Sequence, residues 1–216
     1  MGNLDETSWF EMFCSQSVET VYEAGESYSL QGDRLRNVGY IISGEANAVS
    51  YSIDGDQTWL GEYHQGQFIG LISLFTHDIS NFEIRAQSRL TVRSLSHDKM
   101  LALIRRDVNL CEALAADLAL RLNASLSDLL NVHTLSIRGR ICAELLRLSL
   151  PIGVDPDRHI IRPSPVFIEL ARRLNSTRET VSRTVSELQK KGVISRHPGA
   201  LIVENADLLE EAIQKL

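Results

Sequence analysis

The residues best equipped for chemistry in this 216-residue chain lie in one stretch, Leu174-Asn175-Ser176-Thr177-Arg178-Glu179-Thr180-Val181-Ser182-Arg183. Arg178 and Arg183 carry guanidiniums that can pair bidentately with the O6 and N7 of guanine. The Glu179 carboxylate can accept a hydrogen bond from the N4 amine of cytosine. Arg183 follows Arg178 by about 1.4 helical turns, so all three can face one groove. Ser176, Thr177, Thr180 and Ser182 add short hydroxyls of the kind that reach phosphates and fix register. The bland alternative is a solvated helix face with an Arg/Glu ion pair, and the setting argues against it.

That setting is a pair of short helices. Ser176 or Thr177 can cap the N-terminus of the second helix, and Glu179 has capping-box spacing from Ser176. Val181, Val185 and Leu188 recur at helical spacing and predict its buried side. Upstream, Val166, Phe167, Leu170, Ala171 and Leu174 predict a short amphipathic helix, with Asn175 where the chain must turn sharply. Two helices so joined make a helix-turn-helix, whose second helix enters the DNA major groove. Downstream, Lys190-Lys191-Gly192 reads as a basic helix end with its glycine stop. Val193-Ile194-Ser195-Arg196, a turn at His197-Pro198-Gly199-Ala200, and Leu201-Ile202-Val203 predict a hairpin, or wing. Ahead of the pair, Ser136 to Leu150 predicts an amphipathic helix through Ile137, Ile141, Leu145, Leu146 and Leu148. Pro151, Gly153, Pro156, Pro163 and Pro165 punctuate the link, with a short strand expected over Arg158 to Arg162.

Charge is distributed to match. The chain has a net charge of −6, yet residues 137–203 hold 12 basic and 6 acidic side chains, while residues 1–136 hold 9 and 18 and residues 204–216 hold 1 and 4. Basic charge thus gathers around the helix-turn-helix, as phosphate binding requires. Cys14, Cys111 and Cys142 have neither disulfide-framework nor metal-ligand spacing and are expected to be reduced thiols. No run approaches the roughly 18 apolar residues of a membrane span, and no signal peptide opens the sequence. A cytoplasmic protein without a membrane partner is expected. No nucleophile–base, metal or phosphate-loop constellation is present, so neither an enzyme nor a resident cofactor or metal is expected.

The first half reads as short β segments. Val38 to Ile42 is followed by Ser43-Gly44-Glu45, and Ala46 to Ile53 alternates. Asp54-Gly55-Asp56 is a hairpin turn, Thr58 to Tyr63 the return strand, and Ile84 to Leu95 supplies more strands. The strands begin near Val21, and their spacing suggests a sandwich or barrel. In residues 107–134, Cys111, Ala115, Leu118, Leu122, Ser125, Leu129 and Val132 step by four and three, a coiled-coil seam of about three heptads. The alternative is a helix packed on its own domain. A homodimer is preferred because a two-fold protein matches palindromic half-sites.

With Thr177 to Arg183 and Gly192-Val193-Ile194, Ile137-Arg138-Gly139-Arg140 after the long helix, and Gly66-Gln67-Phe68-Ile69-Gly70 in the β region, nearly the whole chain resembles the cyclic-AMP receptor protein/fumarate-nitrate reduction regulator (Crp/Fnr) family of transcription factors. The resemblance implies an α+β fold: an N-terminal cyclic-nucleotide-binding-type β-roll (jelly roll), a long dimerisation helix and a C-terminal winged helix-turn-helix. The division expected is 1–106, 107–135 and 136–216. It implies that Arg178, Glu179 and Arg183 are the base-reading trio, on T-G-T-G-A-like half-sites in an inverted repeat of double-stranded DNA, with RNA polymerase as a further partner. The upstream helix departs from the family, having Val166, Phe167 and Ile168 where Thr, Arg and Gln are common.

The expected effector pocket comprises Ile69, Gly70, Leu71, Ile72, Ser80, Asn81 and Ser125. Family members that bind cyclic AMP have Glu after Phe-Ile-Gly and, further on, an Arg beside Ser or Thr. Here Leu71 replaces the Glu, and Ser80 or Asn81 stands at the Arg position. A cyclic phosphate in a closed pocket needs a cation or several aligned N–H donors. An unidentified small molecule other than cyclic AMP is therefore the expected effector. Arg85 and Arg89 are expected at the surface. Ser125, the polar residue of the seam, either sets register or touches the ligand. An iron–sulfur centre is disfavoured because Cys14 stands alone, and His64, His77, His97 and His133 are weak candidates for haem ligation. The alternative function is a cyclic-nucleotide or other small-molecule binding module with degenerate DNA binding.

Overall fold

The computed structural model describes residues 6–153 and 155–214. Its contacts divide the chain into two units, Met1–Ser125 and Leu126–Leu216. The outer limits of the expected division, residues 1 and 216, lie outside the described residues.

In the first unit α1 (Glu6–Gln16) leads into β1 (Val18–Tyr22), β2 (Ser27–Ser29), β3 (Asn37–Ser43), β4 (Ala46–Tyr51), β5 (Gln57–Tyr63) and β6 (Phe68–Ile69). After α2 (Leu71–Thr76) come β7 (Glu83–Ala86), β8 (Leu90–Ser96), α3 (His97–Ile104) and α4 (Val108–Thr134), which runs on into the second unit. The strands form two antiparallel four-stranded sheets in the orders β1-β8-β3-β6 and β2-β7-β4-β5, the expected β-roll. Strand alternation explains the sidedness. Ile41, Ile69, Leu90 and Val92 pack with Ala46, Ile84 and Ala86 in one cluster. Val38, Phe68 and Leu95 pack instead with Trp9 and Phe13 of α1, Leu74 of α2, and Met100 of α3.

The hairpin turn falls where Asp54-Gly55-Asp56 placed it, closed by the Ser52 N–H donating to the Asp56 carbonyl at 2.9 Å. β1 starts three residues earlier than Val21. The helices α1, α2 and α3 were not foreseen, although Trp9 and Phe13 are four apart and buried as a helix would bury them.

The long helix follows the alternative reading over its first half, where it packs on its own unit. Leu110 and Leu114 are buried against the roll's outer cluster. Of the expected seam, Leu118 is half-buried, whereas Cys111, Ala115, Leu122, Ser125, Leu129 and Val132 are exposed. One side of the helix's first half thus packs on its own unit, and the seam stands free in the single chain.

In the second unit α5 (Ile137–Leu148) is capped by Ser136, whose hydroxyl oxygen accepts from the Gly139 N–H at 3.1 Å. It is followed by β9 (Leu150–Ile152), β10 (Asp155–Ile161), α6 (Phe167–Arg173), α7 (Arg178–Lys190), β11 (Ile194–His197), β12 (Ala200–Val203) and α8 (Ala206–Gln214). The strand expected over Arg158 to Arg162 lies within β10 apart from Arg162. The sheet order is β11-β12-β10-β9, so β10 and β12 tie the wing into the unit. Ile141 and Leu145 of α5, Leu170 of α6, and Val181, Val185 and Leu188 of α7 share one core with Leu209 of α8. α8 was also unforeseen. Gly139 is where α5 meets it: a Cβ there would lie 2.6 Å from the Ile213 carbonyl oxygen.

Leu145 is fully buried in that core. Leu145→Ala is expected to lower the unfolding free energy of the second unit by about 2–5 kcal/mol, the range for a buried leucine that leaves a cavity. Urea denaturation followed by circular dichroism checks this; a loss below 1 kcal/mol would show that α5 is not the core's support.

Candidate nucleic-acid interface

The turn between α6 and α7 is built by Asn175, which takes a left-handed φ of 48°. Asn is among the few side chains that tolerate this conformation. The Ser176 N–H then returns to the Ala171 carbonyl at 2.8 Å. Of the two candidate caps, Thr177 is the one used. Its Oγ1 accepts from the Thr180 N–H at 3.2 Å and lies 3.0 Å from the Thr180 hydroxyl. Glu179 therefore falls one position short of the residue that a capping box would use. Its carboxylate is left free of the cap.

α7 buries Val181, Thr184, Val185 and Leu188 and exposes Arg178, Glu179 and Arg183. At about 100° per residue, Glu179 and Arg183 lie opposite the buried row, one turn apart. Arg178 lies about 100° around from Glu179, toward the start of α6 and the wing. It lines a groove of about 420 Å³ there with Phe167 and Arg196. Among the described residues none of the three makes an ion pair. Ser176, Thr180 and Ser182 are half-buried, and Thr177 is exposed. Thr177 and Thr180 are already engaged in the cap. The expected apolar face of α6 holds at Leu170 and Ala171, but Val166, its N-cap, and Ile168 are exposed.

Arginines that the sequence reading gave no role set the helix in place. The Arg140 guanidinium donates to the Leu174 carbonyl at 3.2 Å. Arg138 pairs with Glu187 of α7 at 2.8 Å, and Arg173 with Glu144 of α5 at 3.2 Å. In the wing, Ser195 donates to Glu204, and Arg158 pairs with the same carboxylate at 3.0 Å. The Ser195 hydrogen bond, and after it the Arg158 charge, hold the Glu204 carboxyl below its ordinary range.

The candidate effector residues are less gathered. Ile69 is buried inside the roll, whereas Leu71 is turned into the cluster with α1, α3 and α4. Ile72, Asn81 and Ser125 are exposed. Ser80 is buried, and its hydroxyl is spent on the Phe82 carbonyl at 2.6 Å. Arg85 donates to the Gly25 carbonyl and Arg89 approaches Glu23 at 3.8 Å, the surface roles expected. The cation that the structure does bring to this region is Arg121 of α4. It donates to the Phe68 carbonyl at 2.9 Å, pairs with Asp117 at 2.9 Å and covers the Tyr63 ring at 4.1 Å. Nothing in the sequence showed which face of α4 meets the roll. Burial, the largest effect, pushes up the Tyr63 phenol.

A cyclic nucleotide-binding domain family model matches residues 19–107, and a Crp-like helix-turn-helix domain model matches residues 139–212. The cyclic AMP receptor protein of Thermus thermophilus is 30% identical over 191 residues, covering 88% of this chain and 86% of that protein. The chain belongs to the Crp/Fnr family. The cAMP-activated global transcriptional regulator CRP of Escherichia coli is 27% identical over 209 residues, 94% of this chain and 97% of that one. In fold, the c-di-GMP-responsive global regulator CLP of Xanthomonas campestris superposes with a TM-score of 0.78 at 22% identity, covering 93% of this chain and all of that one. This Crp/Fnr protein is thus a DNA-binding transcription regulator with a cyclic-nucleotide-binding-type domain, and not an enzyme. No helix among its described residues is long and apolar enough to cross a membrane.

The cap assignment has a direct check. Thr177→Ala should destabilise the second unit by about 1 kcal/mol, and Ser176→Ala by much less. Chemical denaturation of both variants measures this, and equal losses would restore Ser176 as the cap.

Proposed function

We propose that this Crp/Fnr regulator acts as a homodimer that reads T-G-T-G-A-like inverted repeats, one α7 entering each of two successive major grooves. Arg178 and Arg183 pair with guanines and Glu179 accepts from a cytosine amine. Ser176, Thr177, Thr180 and Ser182 fix the register on phosphates. The carrying observation is the exposed trio, without ion pairs among the described residues, on a helix whose other side is a buried row. Residues 1–106 sense, residues 107–135 dimerise and residues 136–216 bind DNA. The exposed seam of α4 supports the dimer, and the DNA-bound dimer works in the cytoplasm by engaging RNA polymerase.

The effector is a small molecule other than cyclic AMP, bound near Ile69, Gly70, Leu71, Ile72, Ser80, Asn81 and Ser125. The Leu71 side chain offers no acceptor for a ribose hydroxyl, and the Ser80 hydroxyl is already bonded. Arg121 is held by Asp117 and the Phe68 carbonyl. The Xanthomonas campestris regulator, named as responsive to c-di-GMP, shares the fold, which supports a ligand other than cyclic AMP for a roll of this kind.

Fluorescence anisotropy on a T-G-T-G-A inverted-repeat duplex at fixed salt, against a scrambled duplex, tests the reading. Specific binding is expected, unchanged by cyclic AMP; a rise in affinity on adding cyclic AMP would overturn the effector assignment. Arg178→Ala and Arg183→Ala should each cost about 1–3 kcal/mol at the guanine read and relax preference there. Unaltered base preference in both would remove the trio from its role. Leu122→Asp should convert the dimer to a folded monomer by light scattering, and a variant that stayed dimeric would exclude the seam.

A further inference from the structure

We propose that Arg196, seated on the Phe167 ring, is a phosphate clamp on the flank of the recognition helix. It takes one DNA backbone phosphate at the edge of each major groove, at the end where Arg178 reads. The proposal rests on the DNA-reading assignment of α7 and adds a contact outside that helix.

Charge is the first argument. The groove of about 420 Å³ between the wing and the start of α6 contains Arg178, Arg196 and Ser164 in its walls and no carboxylate. Arg196 makes no ion pair among the described residues. The nearby acid of the wing, Glu204, is already held by Ser195 and Arg158. Two guanidiniums facing one groove without a counter-charge repel each other, and a phosphate relieves that repulsion for both.

Preorganisation is the second. The Arg196 guanidinium lies over the Phe167 ring, 5.0 Å from its centroid. One face of the cation is thereby occupied, while its N–H edge stays open for the two parallel hydrogen bonds that suit a phosphate. The wing carrying it is fastened to the segment before α6, since the Ser164 N–H donates to the Gly199 carbonyl at 3.0 Å. Arg196 therefore gives up less side-chain freedom on binding than a free surface arginine would.

Val166 and Ile168, both exposed, present only aliphatic surface at the start of α6. Arg178, the other cation of this groove, is assigned to a base, so Arg196 is the groove cation left for the backbone of the strand passing this side. A phosphate, rather than a base, is assigned because the guanidinium is held against the side of α6 and not on the outer face of α7. Positioning contacts of this kind carry no sequence information.

The test uses the full-length dimer, with affinities for the inverted-repeat and scrambled duplexes measured across a salt series. Arg196→Ala should weaken binding to both duplexes by the same factor. It should also flatten the slope of log K against log salt by about one for each half-site. Phe167→Leu keeps the apolar packing and the charge but removes the ring. It should weaken both duplexes by a smaller factor and leave the slope nearly intact. A loss confined to the specific duplex would make Arg196 a base reader and overturn the clamp, as would an unchanged salt slope in Arg196→Ala. Failure of the two readings is separable: if Arg178→Ala loses base preference while Arg196→Ala changes nothing, only the clamp falls. If the wild-type chain binds neither duplex, the clamp falls with the DNA-reading assignment.

Discussion

The hydrogen bond from Arg140 to the Leu174 carbonyl is the contact on which the DNA-facing end depends. Leu174 ends α6, where a helix leaves carbonyls without partners, and the next residue must enter the left-handed region to redirect the chain. A guanidinium from α5 satisfies that carbonyl at 3.2 Å and so anchors the turn to the core. The arrangement has a cost, because the Arg140 Nε is buried without an acceptor. It persists because its neighbours add to it. Gly139 lets α8 approach, and Arg138 holds the far half of α7 through Glu187. The motif Ile137-Arg138-Gly139-Arg140 is therefore a bracket: one short stretch of α5 holds the turn of the helix-turn-helix, the far half of α7 and the helix behind it. The free guanidiniums of Arg178 and Arg183 are aimed by bound ones.

Periodicity made much of this unit legible in the sequence. Val181, Val185 and Leu188 could be buried together only on one face of a helix, and that alone put Glu179 and Arg183 outside. Arg178 was less well placed, because the first residue of a helix is exposed whatever its angle, and its neighbour across space, Arg196, lies 18 residues away in sequence. Choosing between Ser176 and Thr177 as cap required knowing how far the turn extended. The left-handed Asn175 lengthens it by one residue, and spacing rules do not carry that information. In the roll, strands with clean alternation and a strong turn were recovered closely. α2 and α3 were missed because each is only 6 or 8 residues long, and short apolar runs between strands fit either state.

The long helix shows why a seam read from sequence is only half a statement. A strict four-three step establishes that one stripe of α4 is apolar, and says nothing of what lies beside it. Leu110 and Leu114 sit next to the stripe and are buried by the roll, so the helix has two apolar surfaces over part of its length. Beyond Arg121 only one remains in use as a surface without cover: Leu122, Leu126, Leu129 and Val132 are all at least 50% exposed. Each of these half-exposed side chains forgoes about half of the roughly 1.5–3 kcal/mol that full burial contributes. A helix of this composition is stable in isolation only at a disadvantage that pairing removes.

Arg121 then acquires a place in the proposed signalling. It is a point where α4 grips the roll, through the Phe68 carbonyl and the Tyr63 ring, and Phe68 adjoins the Ile69-Gly70 stretch where the effector is proposed to bind. Ser125 follows Arg121 by about one turn, within the uncovered seam. A ligand that shifts the Phe68–Gly70 backbone must either carry Arg121 with it or break its bonds. In both cases the contact between α4 and the roll changes beside the seam proposed to pair two copies. α4 continues past Ser125 into the second unit. The population of dimers whose recognition helices match two successive grooves would then depend on the ligand's differential affinity for the two settings of that grip, and on nothing else.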